Sequence, residues 1–233
     1  MPGAASPERS GPRRYLNLVL VRHGETAWNA EGRLQGQTDI PLSETGRAQA
    51  RALGRRLRSL WANPSQRPFA RPRAIYTSDL SRARETAELI RGDSIDGEIP
   101  VHSTALVRER GFGEWEGLTP DESRAKFGGS RHHGEEGEPH EAVWARMTQA
   151  LTEIWDAQAT ADPRTTAVLV GHGGSLRQLV CVATGLGIDA RRHFSLSNTG
   201  LSLIQIHGQA LESASTRIAL WNDTSHLDHN VPS

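Results

Sequence analysis

Two stretches of this chain place a histidine directly after a run of apolar residues. Residues 18–21 lead into Arg22 and His23, and residues 166–171 lead into His172. An apolar run that ends at glycine predicts a buried strand followed by a tight loop. Because open α/β sheets bind ligands beyond the carboxyl ends of their strands, we expect both histidines at a ligand site.

A third transition from strand to helix adds another cation. Residues 74–77 are predicted to form a strand, and the helix that follows it carries Arg82. If the three strands are parallel neighbours, Arg82 joins Arg22 and the two histidines at one edge of the sheet. Guanidinium groups match the oxygens of phosphate, so this set predicts a pocket for a dianion such as a phosphate monoester.

Each member of this set has a predicted chemical role. His23 is the candidate nucleophile, because a neutral imidazole can attack phosphorus and form a phosphohistidine, which divides one displacement into two. Arg22 and Arg82 are expected to clamp the non-bridging oxygens and to offset the charge that spreads over them during transfer. His172 is expected to donate to the phosphate, together with the N–H of Gly173 at the start of a helix.

Other residues could contact the leaving group or supply it with a proton. Thr26 and Asn29 lie just beyond His23 and could contact the phosphate or the leaving group, with loop stabilisation as the alternative. A carboxyl group is needed as well, since the leaving alkoxide needs a proton and the next water must lose one. The candidates for this carboxyl group are Glu25, Glu109, Glu114 and Glu116.

Six segments of the chain resemble the histidine phosphatase superfamily, in its phosphoglycerate mutase-like branch. They follow the family's order over residues 16–227, which is nearly the whole chain. The segments are RHGETAWN (22–29), LQGQTDIPLSETGRAQA (34–50), SDLSRARETA (78–87), LVRERGFGEWEG (106–117), GHGGSLRQL (171–179) and WNDTSHL (221–227). The ordered set is far more specific than any one of these motifs.

The resemblance implies roles for particular residues. It implies a phosphohistidine at His23, and it implies that Glu109 is the acid/base carboxylate, because Glu109 stands in LVRERGFG where the family has that group. Specificity is expected to depend on a cap over the site, where Arg110 would face the leaving group. We expect neither a cofactor nor a metal ion.

Hydrophobic patterning predicts the elements that position these residues. Strands that alternate with helices imply an α/β fold, built as a three-layer α/β/α sandwich with a mostly parallel sheet. The short turn between the last two strands implies an antiparallel edge strand. The predicted strands are 16–21, 74–77, 100–103, 166–171, 201–207 and 215–221, and the predicted helices are 43–60, 79–91, a short one from 119, 139–158 and 175–185.

The domain organisation is predicted to be simple. Residues 1–14 are rich in Pro, Gly, Arg and Ser, which favours a disordered tail before a single domain at 15–233. Within that domain, the segment 104–138 has many charges and weak periodicity. We expect this segment to form the small cap over the site.

Histidines in and after the cap segment raise the question of a metal site. They are His132, His133 and His140, near Glu135, Glu136 and Glu138. Their spacing does not match a zinc pattern, so a mobile, solvated loop is predicted. Alternatively, Arg131, His132 and His133 could bind an anionic substrate. His226, near the end of the chain, is predicted to order the C-terminus near the site.

Charge and cysteine content narrow the classes of partner. The 27 basic and 27 acidic residues give a net charge of zero, so no overall field attracts nucleic acid or a membrane surface. No apolar run is long enough to cross a membrane, and the single cysteine, Cys181, is typical of a reducing compartment. We therefore predict a cytoplasmic protein whose partner is a small phosphomonoester, with a homodimer as a possible assembly.

The predicted function is the metal-independent hydrolysis of a small phosphorylated metabolite. The family's mutases exclude water from a similar pocket, and the resemblance implies that they carry a longer basic insertion after the acidic motif and read GHGN. This chain has only residues 118–138 at the insertion point and reads GHGG at 171–174. A 2,3-bisphosphoglycerate-dependent phosphoglycerate mutase is the alternative, and a catalytically silent phosphoryl-binding protein is the second.

Overall fold

The sheet that carries the site has six strands. The computed structural model describes residues 11–63, 69–94, 99–128 and 137–227. The strands are β1 (Arg14–Arg22), β2 (Ile75–Ser78), β3 (Val101–Thr104), β4 (Thr166–Gly171), β5 (Leu201–Gly208) and β6 (Ser215–Asp223). Their order across the sheet is β3–β2–β4–β1–β5–β6, so β1 and β4 lie side by side near the centre.

Four of the strands pair in parallel, and the other two join the sheet through antiparallel pairs. β1, β4, β2 and β3 pair in parallel, and helices connect them, as parallel strands require. β5 pairs antiparallel with β1, and β6 pairs antiparallel with β5 after a short connection over residues 209–214. The predicted mostly parallel sheet with an antiparallel edge is confirmed.

Helices cover both faces of the sheet. They are α1 (Ala27–Ala30), α2 (Glu44–Ala62), α3 (Ser81–Ser94), α4 (Pro120–Phe127), α5 (His140–Gln158) and α6 (Gly173–Thr184). Leu16, Leu18 and Leu20 of β1 pack in one core with α5 and α6. Val19 and Val21 pack in the other core with α2 and α3. Since alternate residues of a strand face opposite sides, this arrangement confirms the three-layer sandwich.

Two helices next to the site differ from the prediction. α6 begins at Gly173 rather than at Ser175, because His172 has extended backbone angles and takes the N-cap position. α1 was not predicted. Thr26 caps this short helix and forms a capping box with Asn29, a pattern that satisfies exposed N–H groups at a helix start.

The sheet includes Arg14, the last residue of the predicted tail. Residues 1–10 of the tail lie outside the described residues, and Arg14, which we assigned to the tail, is instead the first residue of β1. Its guanidinium donates to the carbonyl oxygens of Trp155 (2.9 Å) and Ala159 (3.2 Å). The described part of the cap segment contains two 3₁₀ turns, Ala105–Val107 and Gly113–Trp115, followed by α4.

Candidate active site

Four basic side chains converge at the carboxyl ends of the parallel strands. Arg22 ends β1 and His23 follows it, while His172 follows β4. Arg22 pairs in register with Gly171, so the adjacent strands β1 and β4 end at the same level. Arg82 comes from the first turn of α3, which follows β2 on the other side of β4. The fold therefore brings together the cations that the sequence predicted as a set.

The His23 ring is held in one tautomer. Its Nδ1 lies 2.7 Å from the carbonyl oxygen of Gly24, and because a carbonyl oxygen only accepts, Nδ1 carries the hydrogen. Burial, with the charges of Arg22 and Arg82, lowers the pKa of His23 well below 6.5. The ring is therefore neutral at neutral pH, and Nε2 keeps the lone pair that a nucleophile needs.

The His172 ring lies beside the His23 ring, with the two centroids 5.1 Å apart. His172 is fully buried, and neither of its ring nitrogens has a hydrogen-bond partner among the described residues. Burial, with the charges of Arg82, His23 and Arg22, lowers the pKa of His172 well below 6.5. A buried polar group without a partner costs free energy, so the ring keeps one N–H free to donate. His172 itself is not part of the cavity lining; its neighbours His23 and Gly173 are.

Backbone carbonyl groups anchor the two arginines. Arg82 donates to the carbonyl oxygens of Thr38 (2.8 Å) and Gly36 (2.7 Å), and Arg22 donates to that of Leu196 (2.7 Å). In both arginines, Nε is buried and finds no partner in the described part of the chain. Burial lowers the pKa of both guanidinium groups, and a bound dianion would offset the cost of burying these charges.

Glu109 lies against the first turn of α6. Its Oε2 accepts from the N–H of Gly174 (2.8 Å), and its Oε1 accepts from the N–H groups of Ser175 (3.0 Å) and Arg110 (2.8 Å). Of the described residues that line the cavity, Glu109 is the only carboxylate. These bonds use three of the roughly four lone-pair positions of a carboxylate, so one position remains to carry a proton.

The Glu109 carboxylate lies where a side chain at residue 174 would begin, so glycine fits this position. A Cβ atom at residue 174 would lie 2.4 Å from Glu109 Oε1. We therefore expect Gly174→Ala to displace the carboxylate and to lower kcat by about 100-fold, as measured by steady-state phosphate release. Gly92→Ala in α3, where a Cβ meets no atom within 4 Å, is the control and should keep its kcat. An unchanged kcat in Gly174→Ala would show that the placement of Glu109 is not needed for turnover.

The competing carboxylates lie elsewhere. Glu116 accepts from the backbone N–H groups of Gln37 (3.0 Å) and Thr38 (2.8 Å), so it supports the loop whose carbonyl groups hold the Arg82 guanidinium. Glu25 accepts from a hydroxyl at the start of α2, and Glu114 is exposed. Since none of these three lines the cavity, the geometry favours Glu109 as the acid/base group.

Arg146 of α5 holds the backbone that carries Glu109. Its guanidinium donates to the carbonyl oxygens of Leu106 (2.8 Å), Arg108 (2.6 Å) and Glu109 (3.0 Å), and it pairs with Glu138 at 2.7 Å. We expect Arg146→Gln to lower the free energy of unfolding by about 3–5 kcal/mol, because Glu138 is left mostly buried without its partner. Urea unfolding measures this loss.

A matched control separates this effect from the loss of an ordinary ion pair. Arg124 and Asp121 form a pair at the surface, with side chains 68% and 85% exposed. Arg124→Gln should therefore cost less than about 1 kcal/mol. If Arg146→Gln costs no more than this control, the buried pair does not support the Glu109 backbone as we describe.

Comparison with known proteins identifies the family. The sequence profile of the histidine phosphatase superfamily (branch 1) matches residues 18–224. The chain belongs to the histidine phosphatase superfamily. It is 31% identical to the phosphoglycerate mutase-like protein 4 of Arabidopsis thaliana over 224 residues, which cover 92% of this chain and 88% of that protein.

Solved structures agree with this placement of the chain in the superfamily. A mycobacterial glucosyl-3-phosphoglycerate phosphatase superposes with a TM-score of 0.77 and 29% identity, over 90% of this chain and 99% of that one. A phosphoserine phosphatase from Entamoeba histolytica, in complex with 3-phosphoglyceric acid, gives a TM-score of 0.68 and 27% identity, over 91% and 99%. The predicted family and fold are confirmed.

Only some of the predicted substrate contacts face the cavity. Asn29 and Gly173 line the cavity, whereas Thr26 does not. Thr26 is fully buried, caps α1 and donates its hydroxyl to Gln35 Oε1 at 2.9 Å. It therefore stabilises the loop, which was the alternative interpretation of this residue.

Arg110 also differs from its prediction as a contact to the leaving group. Its Nε donates to the carbonyl oxygen of Glu138 at 2.6 Å, and its guanidinium lies over the ring of Phe112. Arg110 is only 6% exposed and is not part of the cavity lining. Arg110 therefore binds the backbone just before α5 and does not face the cavity. The sequence alone did not identify the Glu138 carbonyl oxygen as its acceptor.

The cavity extends beyond the residues that were predicted to bind phosphate. Its volume is about 530 Å³, which is typical of sites for small molecules. Arg33, Arg177 and Arg192 line it, and the sequence analysis singled out none of them. Arg177 lies four residues after Gly173, so both are on one face of α6, and this spacing could have identified it. The apolar part of the lining is formed by Leu34, Phe112, Phe194 and Leu196.

Residues from the C-terminal part of the chain hold the backbone that carries Arg22 and His23. His226 Nε2 lies 3.0 Å from the Thr199 hydroxyl, and the Thr199 N–H donates to the carbonyl oxygen of Arg22 at 3.0 Å. Asn198 Nδ2 donates to the carbonyl oxygen of His23 at 2.9 Å. His226 thus lies near the site through these contacts, as predicted for the WNDTSHL segment.

The predicted solvated loop falls partly outside the described residues. His132 and His133 are not among them, and His140 Nδ1 lies 2.9 Å from Gln178 Nε2 on α6. Where the chain is described, no group of three or more His, Cys, Asp or Glu side chains could hold a metal ion. Likewise, none of the described helices is long and apolar enough to cross a membrane.

Proposed function

We propose that this protein hydrolyses a small phosphorylated metabolite through a phosphohistidine at His23, without a metal ion. One observation carries the proposal: a neutral imidazole with its lone pair on Nε2 stands beside the guanidinium groups of Arg22 and Arg82. The imidazole needs no base to activate it. The two guanidinium groups supply the positive charge that a dianionic phosphoryl group requires.

In the first step, His23 Nε2 attacks the phosphorus atom of the bound ester, opposite the ester oxygen. The N–P bond forms as the P–O bond to the alcohol breaks, and the alcohol oxygen takes the proton of Glu109. Arg22 and Arg82 bind the non-bridging oxygens, and His172 donates to one of them. Their interactions strengthen as charge spreads over these oxygens, so they lower the barrier.

In the second step, a water molecule replaces the alcohol. The carboxylate of Glu109 takes a proton from the water, the oxygen attacks phosphorus, and the N–P bond breaks. Inorganic phosphate leaves, His23 becomes neutral again, and Glu109 regains its proton. The hydrogen bond from Nδ1 to the Gly24 carbonyl oxygen stabilises the positive charge that the phosphorylated ring carries between the steps.

The named relatives divide between phosphatases and mutases. Two of the solved structures are named as phosphatases, one for glucosyl-3-phosphoglycerate and one for phosphoserine. The Arabidopsis relative is named for its likeness to phosphoglycerate mutase, so a 2,3-bisphosphoglycerate-dependent mutase is the second candidate. The chain reads GHGG at 171–174, whereas the resemblance gives GHGN for the mutases, which supports a phosphatase.

The proposal also covers substrate size and location. A cavity of about 530 Å³ suits a small metabolite.

Cys181 is a buried free thiol, and burial raises its pKa, so it is unreactive. A lone unreactive thiol fits a reducing compartment, which supports the proposal of a cytoplasmic enzyme.

The proposal is tested by phosphate release from a panel of phosphomonoesters with EDTA present. We expect release by the wild type, since no step above uses a metal ion. Conversion of 3- to 2-phosphoglycerate with added 2,3-bisphosphoglycerate, in the absence of phosphate release, would instead establish a mutase. If the protein shows neither activity but still binds the esters, it is a phosphoryl-binding protein and the proposal is overturned.

A further inference from the structure

We infer that Glu116 and Asn222 are positioning residues, and that each orients one phosphate-binding arginine through a single peptide group. Glu116 acts on Arg82, and Asn222 acts on Arg22. The inference rests on the proposed function, because that function assigns Arg22 and Arg82 to the phosphate. Neither Glu116 nor Asn222 lines the cavity, so their effect on the reaction passes through the arginines.

The peptide group between Gly36 and Gln37 joins Arg82 to Glu116. Its carbonyl oxygen accepts from Arg82 Nη2 at 2.7 Å, and its N–H donates to Glu116 Oε1 at 3.0 Å. The next residue repeats the contact, since Thr38 donates its N–H to Glu116 Oε2 (2.8 Å) and accepts from Arg82 Nη1 (2.8 Å) with its carbonyl oxygen. Hydrogen bonds in series through a peptide group polarise one another, so the Glu116 carboxylate strengthens the acceptors that fix Arg82.

The peptide group between Leu196 and Ser197 joins Arg22 to Asn222 in the same way. Its carbonyl oxygen accepts from Arg22 Nη1 at 2.7 Å, and its N–H donates to Asn222 Oδ1 at 2.7 Å. Asn222 Nδ2 also donates to the Ser197 hydroxyl at 3.3 Å. Since Asn222 belongs to the segment WNDTSHL (221–227), these contacts link that segment to the phosphate pocket.

A glycine makes room for each of the two positioning side chains. A Cβ atom at Gly36 would overlap the Glu116 carboxylate, and a Cβ atom at Gly200 would overlap Asn222 Oδ1. Gly36 has a φ of 54° and Asn222 a φ of 51°, a left-handed conformation that glycine and asparagine adopt more readily than other residues. The backbone at both places therefore lets a side-chain oxygen reach the N–H of the peptide group.

The charge of Glu116 separates orientation from simple electrostatics. Burial lowers the pKa of Arg82, and the charges of Glu109, Asp39 and Glu116 oppose this effect, so Glu116 is near enough for its charge to be felt. A carboxylate repels a dianionic phosphate, and removal of its charge would tighten phosphate binding if charge alone mattered. Loss of the orientation of Arg82 predicts the opposite result, which is weaker binding.

The first test is the Kd of inorganic phosphate for single variants, measured by ³¹P NMR titration. Glu116→Gln keeps the length of the side chain but removes its charge and one acceptor oxygen. Asn222→Gly keeps the left-handed backbone and removes the side chain. We expect each change to weaken phosphate binding about 10-fold. Glu114→Gln, which removes an exposed charge from the same segment as Glu116, is the control and should leave the Kd unchanged.

Crossed double-mutant cycles then identify the arginine through which each residue acts. In Arg82→Met, Glu116→Gln should no longer weaken phosphate binding, whereas Asn222→Gly should keep its effect. In Arg22→Met the two effects should be reversed. A side chain that only supports the fold would keep its full effect in both backgrounds. Circular dichroism checks that each variant is folded, and Arg82→Lys or Arg22→Lys replaces a methionine variant that is not.

Additive effects in every double variant would overturn the inference, as would unchanged or tighter phosphate binding by Glu116→Gln. Phosphate release by the wild type is scored separately. If the wild type binds inorganic phosphate and the cycles show the expected coupling, but no ester is hydrolysed, only the proposed hydrolysis is overturned. If the wild type does not bind inorganic phosphate at millimolar concentration, the phosphate pocket and this inference are both overturned.

Discussion

Replacing His23 with alanine is expected to lower kcat for phosphate release by about 10⁴-fold or more, because the nucleophile is lost. The phosphate pocket should remain, since Arg22 and Arg82 are anchored by backbone carbonyl groups and not by the imidazole. The variant should therefore still bind esters. Steady-state phosphate release and calorimetric titration measure the two properties separately.

The control for this variant is a histidine of the same sheet that lies away from the cavity. His102 is exposed on β3 and contacts the ring of Tyr76, so His102→Ala should keep a kcat close to that of the wild type. Substantial phosphate release by His23→Ala, with its Kd for esters unchanged, would show that another group or a water molecule attacks phosphorus directly.

Replacing Glu109 with glutamine is expected to lower the rate of the first turnover by about 10²- to 10⁴-fold on alkyl phosphates. Glutamine cannot give a proton to the leaving alkoxide. The loss should be much smaller on p-nitrophenyl phosphate, since nitrophenolate leaves without a proton. Rapid-mixing measurement of the first turnover isolates phosphorylation of His23 from the later hydrolysis, in which Glu109 also takes part.

Glu114→Gln is the matched control for Glu109→Gln. Glu114 is exposed in the same segment of the chain and does not line the cavity, so both esters should react at nearly wild-type rates. If Glu109→Gln slows the first turnover equally on the two esters, Glu109 holds the first turn of α6 in place and does not transfer a proton.

Much of the fold could be predicted because its signals are local. Each predicted strand is confirmed within one or two residues, since apolar runs such as 18–21 and 166–171 mark strands that are buried on both faces. The convergence of His23 and His172 follows from strand order. It needs only the parallel pairing of β1 and β4, which helical crossovers favour.

The roles of individual side chains around the cavity were harder to predict because they depend on distant partners. Arg110 is held by the carbonyl oxygen of Glu138, and Thr26 by Gln35. Nothing in the spacing of these residues reveals such contacts. Arg177 was not singled out from the sequence, and its place in the cavity lining is seen only in the folded chain.

The most direct test of the account is to trap the phosphoenzyme. A ³²P-labelled phosphomonoester is mixed rapidly with the wild type, the reaction is quenched in base, and the tryptic peptides are separated. The account predicts label that is stable in base and labile in acid on peptide 23–33, where His23 is the only histidine. Full turnover without label on this peptide, or label on the peptide that carries His172, would contradict His23 as the nucleophile.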